Sequence, residues 1–237
     1  MTLGIGTSPA LSAGFASPDR ETSTFSPPAQ SLLVAAIVGF DAVDEEDFDE
    51  LPQNTGTALE WSRRASDDPD PGVPATIRFY TAPNVSAQTN ITVSARLSNG
   101  EGMLKVWMVT EAALSAPVGA TGAGTTSGNN VTPGVYTSTV AGSRGFIAAY
   151  DENNRGVPTS TDAAEGYGGG TFVCGLVAAK AANTPGAGTG VTFNLDAAGS
   201  GGGSWLWVAI EVLPRLDPSR PIRVMQVGQA VKRGTIW

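Results

Sequence analysis

The apolar residues of this chain come in short runs, each ended by a glycine, proline or asparagine turn, and that pattern leaves little but β-structure available. Ile91, Val93, Ala95 and Leu97 alternate with Thr92, Ser94 and Arg96, which is the period of a strand with one buried face. The same period sets Ile77 and Phe79 against Arg78 and Tyr80, and Val191, Phe193 and Leu195 against Thr192, Asn194 and Asp196. Leu104, Val106 and Met108 make another such face. Three runs, at 32–40, 172–179 and 205–213, are apolar on both faces and fit central strands covered on both sides. Turn clusters at Ser98-Asn99-Gly100, Ala141-Gly142-Ser143 and 199–203 separate these runs. With about ten strands and no long capped amphipathic helix, the expected fold is all-β: two packed antiparallel sheets, a jelly-roll-like sandwich.

One internal echo is visible. Ser23-Thr24-Phe25 leads through a turn into the strand at 31–40, with acidic residues after it. Ser138-Thr139-Val140 leads through Ala141-Gly142-Ser143 into 146–150, then Asp151 and Glu152. Two sandwich corners built alike would produce this, and so would chance.

The pattern divides the chain into an extended N-terminal arm (1–20), a sandwich (21–214) and a basic extended C-terminal arm (215–237). The first arm is rich in small residues, with Leu3, Ile5, Leu11 and Phe15 as scattered anchors, and lacks the basic start and apolar core of a signal peptide. The longest apolar run is far short of the roughly 20 residues that span a bilayer, so a soluble chain without membrane insertion is expected. In the second arm, five basic side chains against Asp217 give a net charge of +4, which leaves −12 on the first 214 residues from the −8 of the whole. An acidic domain repels phosphate backbones, so no direct nucleic-acid partner is expected. Within the C-terminal arm Ile222, Val224, Gln226 and Gly228 alternate with Arg223, Met225, Val227 and Gln229, the pattern of an unpaired strand seeking a partner. Arg215, Arg220, Ile222, Arg223, Val224, Met225, Val227, Lys232, Arg233 and Trp237 are therefore the expected interface residues.

Chemistry-bearing residues are sparse. The chain has no histidine and one cysteine, so the commonest general base and any internal disulfide are missing, and Cys174 sits in an apolar strand where a thiol is inert. The acidic run from Asp41 to Glu50 matches no calcium-loop spacing and reads as a solvated loop. Asp67, Asp68 and Asp70 read as turn residues. Glu211 stands inside an apolar strand, where an edge or interface partner such as arginine is the expected reason for a carboxylate; glycoside hydrolysis would need a second acid in a like setting. The glycine runs at 168–170 and 199–203 lack the lysine of a phosphate loop and read as flexible turns. Trp107 faces away from Val106 and Met108, so one side of that strand is expected outside the core; Trp107 and Tyr80 are the candidate ligand or interface aromatics. No catalytic residue, cofactor or metal ligand is assigned, and no enzyme is expected.

Several phrases taken in order carry a resemblance. They are 23–35 (STFSPPAQSLLVA), 59–64 (LEWSRR), 79–83 (FYTAP), 104–110 (LKVWMVT) with 116–120 (APVGA), and 204–214 (SWLWVAIEVLP). In this order they resemble a β-sandwich family common among tailed phages of actinobacteria, usually described as minor tail proteins or other virion structural proteins. The resemblance covers about 22–214 and rests on strand-and-turn phrases, without a catalytic motif. It implies a noncatalytic structural component of the virion, a minor tail protein, with other copies of itself and other virion proteins as partners. Alternatives are a capsid decoration protein or head fibre, and a carbohydrate-binding module that attaches to host surface glycans.

Overall fold

The computed structural model describes residues 2–14, 19–39, 51–67, 76–97, 102–151, 153, 156–169, 173–197 and 203–216. The first half of the chain contributes β1 (Gly4–Ile5), β2 (Ser12–Gly14), β3 (Asp19–Glu21), β4 (Ser31–Gly39), β5 (Gln53–Asn54), β6 (Ser62–Asp67), β7 (Thr76–Asn84), β8 (Val93–Arg96) and β9 (Gly102–Thr110). The second half contributes β10 (Val118–Ser127), β11 (Asn130–Val131), β12 (Gly134–Thr137), β13 (Arg144–Asp151), β14 (Ala163–Gly169), β15 (Val173–Ala179), β16 (Gly190–Thr192), β17 (Leu195–Asp196) and β18 (Ser204–Val212). All ladders are antiparallel. The fold is all-β and sandwich-like, as the period-two pattern implies. The strand count exceeds the expected ten because nine of these strands are two to four residues long, and most of them, such as β1, β5 and β11, are too short to show a period.

Each large sheet is drawn from one half of the chain. The first has the order β1-β9-β4-β7-β6, with β2 also on β9; the second has β10-β18-β13-β15-β14. Outside the first lies a small sheet, β3-β8-β5, and outside the second lie the ladders β12-β16 and β11-β17. Four layers therefore enclose three apolar zones. The central zone joins the large sheets through side chains such as Val34, Phe79, Trp107, Phe146 and Val208. The outer zones pack Leu33, Tyr80 and Val106 against Ile91 and Val93, and Ile147, Leu176 and Trp205 against Val191 and Phe193. This layering corrects two expectations. β7 is covered on both faces, with Arg78 and Tyr80 buried alongside Ile77 and Phe79. On β9 both Trp107 and its neighbours Val106 and Met108 are inside, because a third layer covers the face that a two-sheet sandwich would leave wet.

The two halves repeat one another. The order β9-β4-β7-β6 corresponds step by step to β18-β13-β15-β14, and the strand laid on β9 corresponds to the one laid on β18. β4 and β13 begin alike. Ser31 Oγ donates to the Pro28 carbonyl at 2.7 Å and Ser143 Oγ to the Val140 carbonyl at 3.0 Å, each three residues back. Each serine follows a residue of positive φ, Gln30 at 58° and Gly142 at 81°. Ile91, Val93, Ala95 and Leu97 are buried in one outer zone, and Val191, Phe193, Leu195 and Ala197 in the other. Across the central zone β4 meets β13, β6 meets β10 and β2 meets β14. Exchanging the halves converts the second of these pairs into the third; β18 also packs on β6 and β7. Within the first half the chain steps between layers (β2 large, β3 small, β4 large, β5 small) until β6 stays in the large sheet beside β7.

The N-terminal segment, expected as an arm outside the sandwich, belongs to it. β1 and β2 pair with β9, and Leu3 is buried in the central zone. The edge of β9 would otherwise present unpaired N–H and C=O groups.

Trp107 ties the halves together. Its ring stacks on Phe79 of its own sheet at 6.4 Å and meets Phe146 of the other sheet edge-on at 5.1 Å. Trp107→Ala is expected to cost about 3–5 kcal/mol, read as a lower urea midpoint in a single transition. Two separated transitions in the unsubstituted protein would show that the halves do not share one core.

Candidate functional site

The described start of the expected interface segment, Arg215 and Leu216, lies at the seam between the repeats. After β18, Leu213 N donates to the Pro117 carbonyl at 2.8 Å, and Ala113 N donates to the Leu213 carbonyl at 2.9 Å. Arg215 N then donates to the Glu111 carbonyl at 2.7 Å. The Arg215 guanidinium also pairs with the Glu111 carboxylate at 2.8 Å. Leu216, the last described residue, is 87% exposed. Arg215 is thus engaged with its own domain. Arg220, Ile222, Arg223, Val224, Met225, Val227, Lys232, Arg233 and Trp237 lie outside the described residues.

Beside this anchor begins β10. It pairs with β18 along one edge and with no other strand among the described residues. Thr121, Ala123, Thr125 and Ser127 are exposed. The intervening residues face inward: Gly124 lies against the Trp207 indole, whose Nε1 donates to Thr126 Oγ1 at 3.1 Å. Gly122 abuts the Val135 carbonyl so closely that any Cβ would collide with it. The strand carries no charge and no proline, two of the devices that usually blunt an edge.

Trp107 and Tyr80 are 5% and 1% exposed, so neither ring forms a platform on the chain's surface. Their burial follows from the extra layers, which alternation along one strand does not reveal.

Glu211 is fully buried without an arginine partner. Its carboxylate accepts hydrogen bonds from Ala120 N at 2.9 Å, Thr139 N at 2.9 Å and Thr139 Oγ1 at 2.7 Å. Burial alone would push this carboxyl up; the bonds from Ser143, Ala120 and Thr139 outweigh it and hold the group below its ordinary range. The side chain clasps β10 and the β12–β13 turn onto β18. Nearby, burial with the Glu211 charge raises the Tyr136 hydroxyl. Burial, with Asp151 alongside, pushes the Cys174 thiol up to about 12, in keeping with an inert packing role.

A second polar clasp escaped the sequence reading. Lys105, 3% exposed on β9, pairs with Glu165 on β14 of the other repeat and donates to the Pro9 carbonyl at 2.7 Å. Leu11 N donates to the same Glu165 at 2.6 Å. Asn183 Nδ2 reaches the Leu3 carbonyl at 2.9 Å. The N-terminal segment is therefore held by side chains of both repeats. The only trace in the sequence is a lysine on the same strand face as Trp107 and Val109.

Of the remaining flagged residues, the acidic run 41–50, Asp68 and Asp70 lie outside the described residues, and Asp67 is the last residue of β6. Gly168 is in β14, not a turn, and a Cβ there would strike Gly156, so close backbone approach explains it. The described residues contain no group of three or more carboxylate or thiol side chains arranged to hold a metal. Comparisons with protein-family models, curated proteins and solved structures find no match to this chain.

Glu211 supplies a pH test. Its folded-state pKa lies below the unfolded value of 4.5, so its contribution is present above that value and is lost as pH falls through the folded-state pKa. Glu211→Gln is expected to lower stability near neutral pH by about 1–3 kcal/mol and to flatten the acid limb of melting temperature against pH. An unchanged acid limb would remove Glu211 from the clasp. Cys174 should resist a thiol-reactive disulfide reagent in the native protein and react fully once unfolded.

Proposed function

We propose that this chain is a noncatalytic structural component of a tailed-phage particle, a minor tail protein that joins its neighbours through its C-terminal segment and an open sheet edge. The observation that carries the reading is the adjacency of two complementary elements. An uncharged strand edge, that of β10, unpaired among the described residues, begins near the anchored Arg215, the first residue of the basic segment. A strand added to such an edge gains main-chain hydrogen bonds for affinity and alternating side chains for register. The +3 of residues 217–237 against the −11 that this leaves on residues 1–216 from the −8 of the whole favours docking on an acidic neighbour, such as a second copy. Residues 217–237 extend to at most about 70 Å, ample to follow a ten-residue strand such as β10 on an adjacent subunit. The resemblance of 22–214 to phage tail sandwiches supplies the setting, and the location that follows is the virion.

Deleting 217–237 is expected to leave a soluble protein with an unchanged melting temperature that is no longer incorporated into particles. Normal incorporation of the truncated chain would defeat the proposal. A paired Ala123→Lys, Thr125→Lys change, which places charge on the open edge without touching the Trp207 contact, should reduce incorporation in the same assay. Labelling the protein in intact virions tests the tail assignment, and label on the head would transfer the role to decoration of the capsid.

A further inference from the structure

The small outer sheet of the first repeat carries a groove of about 390 Å³ on its outward face, within the range of small-ligand sites. Its floor is the central strand β8, with Ser94 and Arg96 pointing out while Val93 and Ala95 point into the core. The ladder registers set polar groups in rows across the three strands. Glu21 and Gln53 both lie opposite Ser94, one on each side, and Asp19 lies opposite Arg96. Among the described residues, the side chains of Glu21, Gln53, Ser94 and Arg96 make no hydrogen bond or ion pair. A carboxylate, a hydroxyl, an amide and a guanidinium thus converge on one concavity with their bonding capacity unspent.

The second repeat shows that this is no necessity of the fold. One hundred residues on, Asn194 and Asp196 stand where Ser94 and Arg96 stand, judged by the matching buried alternation at 91–97 and 191–197. There Asn194 is bonded to its neighbours: its Nδ2 donates to Asn130 Oδ1 at 2.9 Å, and Thr161 N donates to its Oδ1 at 3.1 Å. The Ser94 position is thus engaged in one repeat and open in the other, while the Asp196 carboxylate, like the Arg96 guanidinium, makes no side-chain bond among the described residues.

We propose that the groove on β3, β8 and β5 binds a neutral saccharide. Mixed donors and acceptors at strand spacing suit a ring bearing several hydroxyls, each of which both donates and accepts. The lining carries Asp19 and Glu21 against Arg96, a formal charge of −1, so anionic sugars and phosphates are disfavoured. Leu51, 49% exposed, offers the apolar contact for a sugar face. The site stands whether or not the chain is a virion component, and it replaces the buried Trp107 and Tyr80 as the place where a glycan would be met.

The test is a titration of the ¹⁵N-labelled full-length protein with maltotriose, cellotriose and chitotriose, with glucose 6-phosphate as the anionic arm. Amide shifts are expected at 19–21, 53–55 and 92–96 with at least one trisaccharide at millimolar affinity or better. Glu21→Ala and Arg96→Ala should each weaken binding about tenfold with unchanged melting temperatures. Ser86→Ala, in the separate groove along 57–60 and 83–88, should leave it unaltered. The proposal is overturned if no trisaccharide shifts these amides at about 10 mM, if the shifts fall elsewhere, if both alanine variants bind as the parent does, or if glucose 6-phosphate binds equally well.

Discussion

Both large sheets are apolar on both faces, and the rest of the molecule follows from that constraint. A sheet with one wet face can stop at two layers; one whose strands are buried throughout, as β4 is from Ser31 to Gly39, must be covered twice. Each sheet covers one face of the other, and the short strands β3, β8 and β5, with their counterparts β12, β16 and β17, cover what remains. Burying a Leu or Phe side chain contributes about 1.5–3 kcal/mol, so the three apolar zones dominate stability. The polar clasps at Glu211 and Lys105 mainly dictate where the edge strands and the N-terminal segment lie.

Duplication is an economical route to such a structure. A single repeat would expose the face bearing Phe79 and Trp107 or its equivalent bearing Phe146 and Val208, a large apolar patch of the kind that drives association. Two similar halves in one chain cover each other's apolar faces. The repeats have diverged where they meet. Lys105 faces the central zone on β9, while the corresponding strand β18 presents Val208 to it, so the second repeat has no lysine at the position that pairs with Glu165 in the first.

The all-β class, the three doubly buried strands and the alternation at 91–97 and 191–197 are legible in the sequence because period two is a local signal. The number of layers is not, since covering the second face of β7 or β9 depends on residues far away in the chain. That is why Trp107 and Tyr80 look available in the sequence and are buried in the fold. The repeat left a faint trace at 23–31 and 138–143. The lengths of the turns differ, and the shared features are hydrogen bonds and backbone angles at Ser31 and Ser143 more than residue identities. The placement of residues 2–14 was equally hidden. Small residues read as an arm, and only the edge of β9, the buried Leu3 and the carboxylate of Glu165 make them a strand.

Glu211 and Glu21 show how position decides what a carboxylate can do. Both lie in strands; the sequence singles out Glu211 by its apolar neighbours and gives no sign of Glu21. Glu211 meets converging N–H and O–H donors, which satisfy its oxygens and commit it to holding β10 in place. Glu21 faces outward across from Ser94, with its oxygens unengaged among the described residues. The first is spent on structure. The second faces solvent, and the position across from it in the other repeat, Asn194, is instead bonded to Asn130. Where two copies of one architecture differ in whether such a position is satisfied internally, folding does not require it to stay open, and a carboxylate left to solvent there is free to meet a partner.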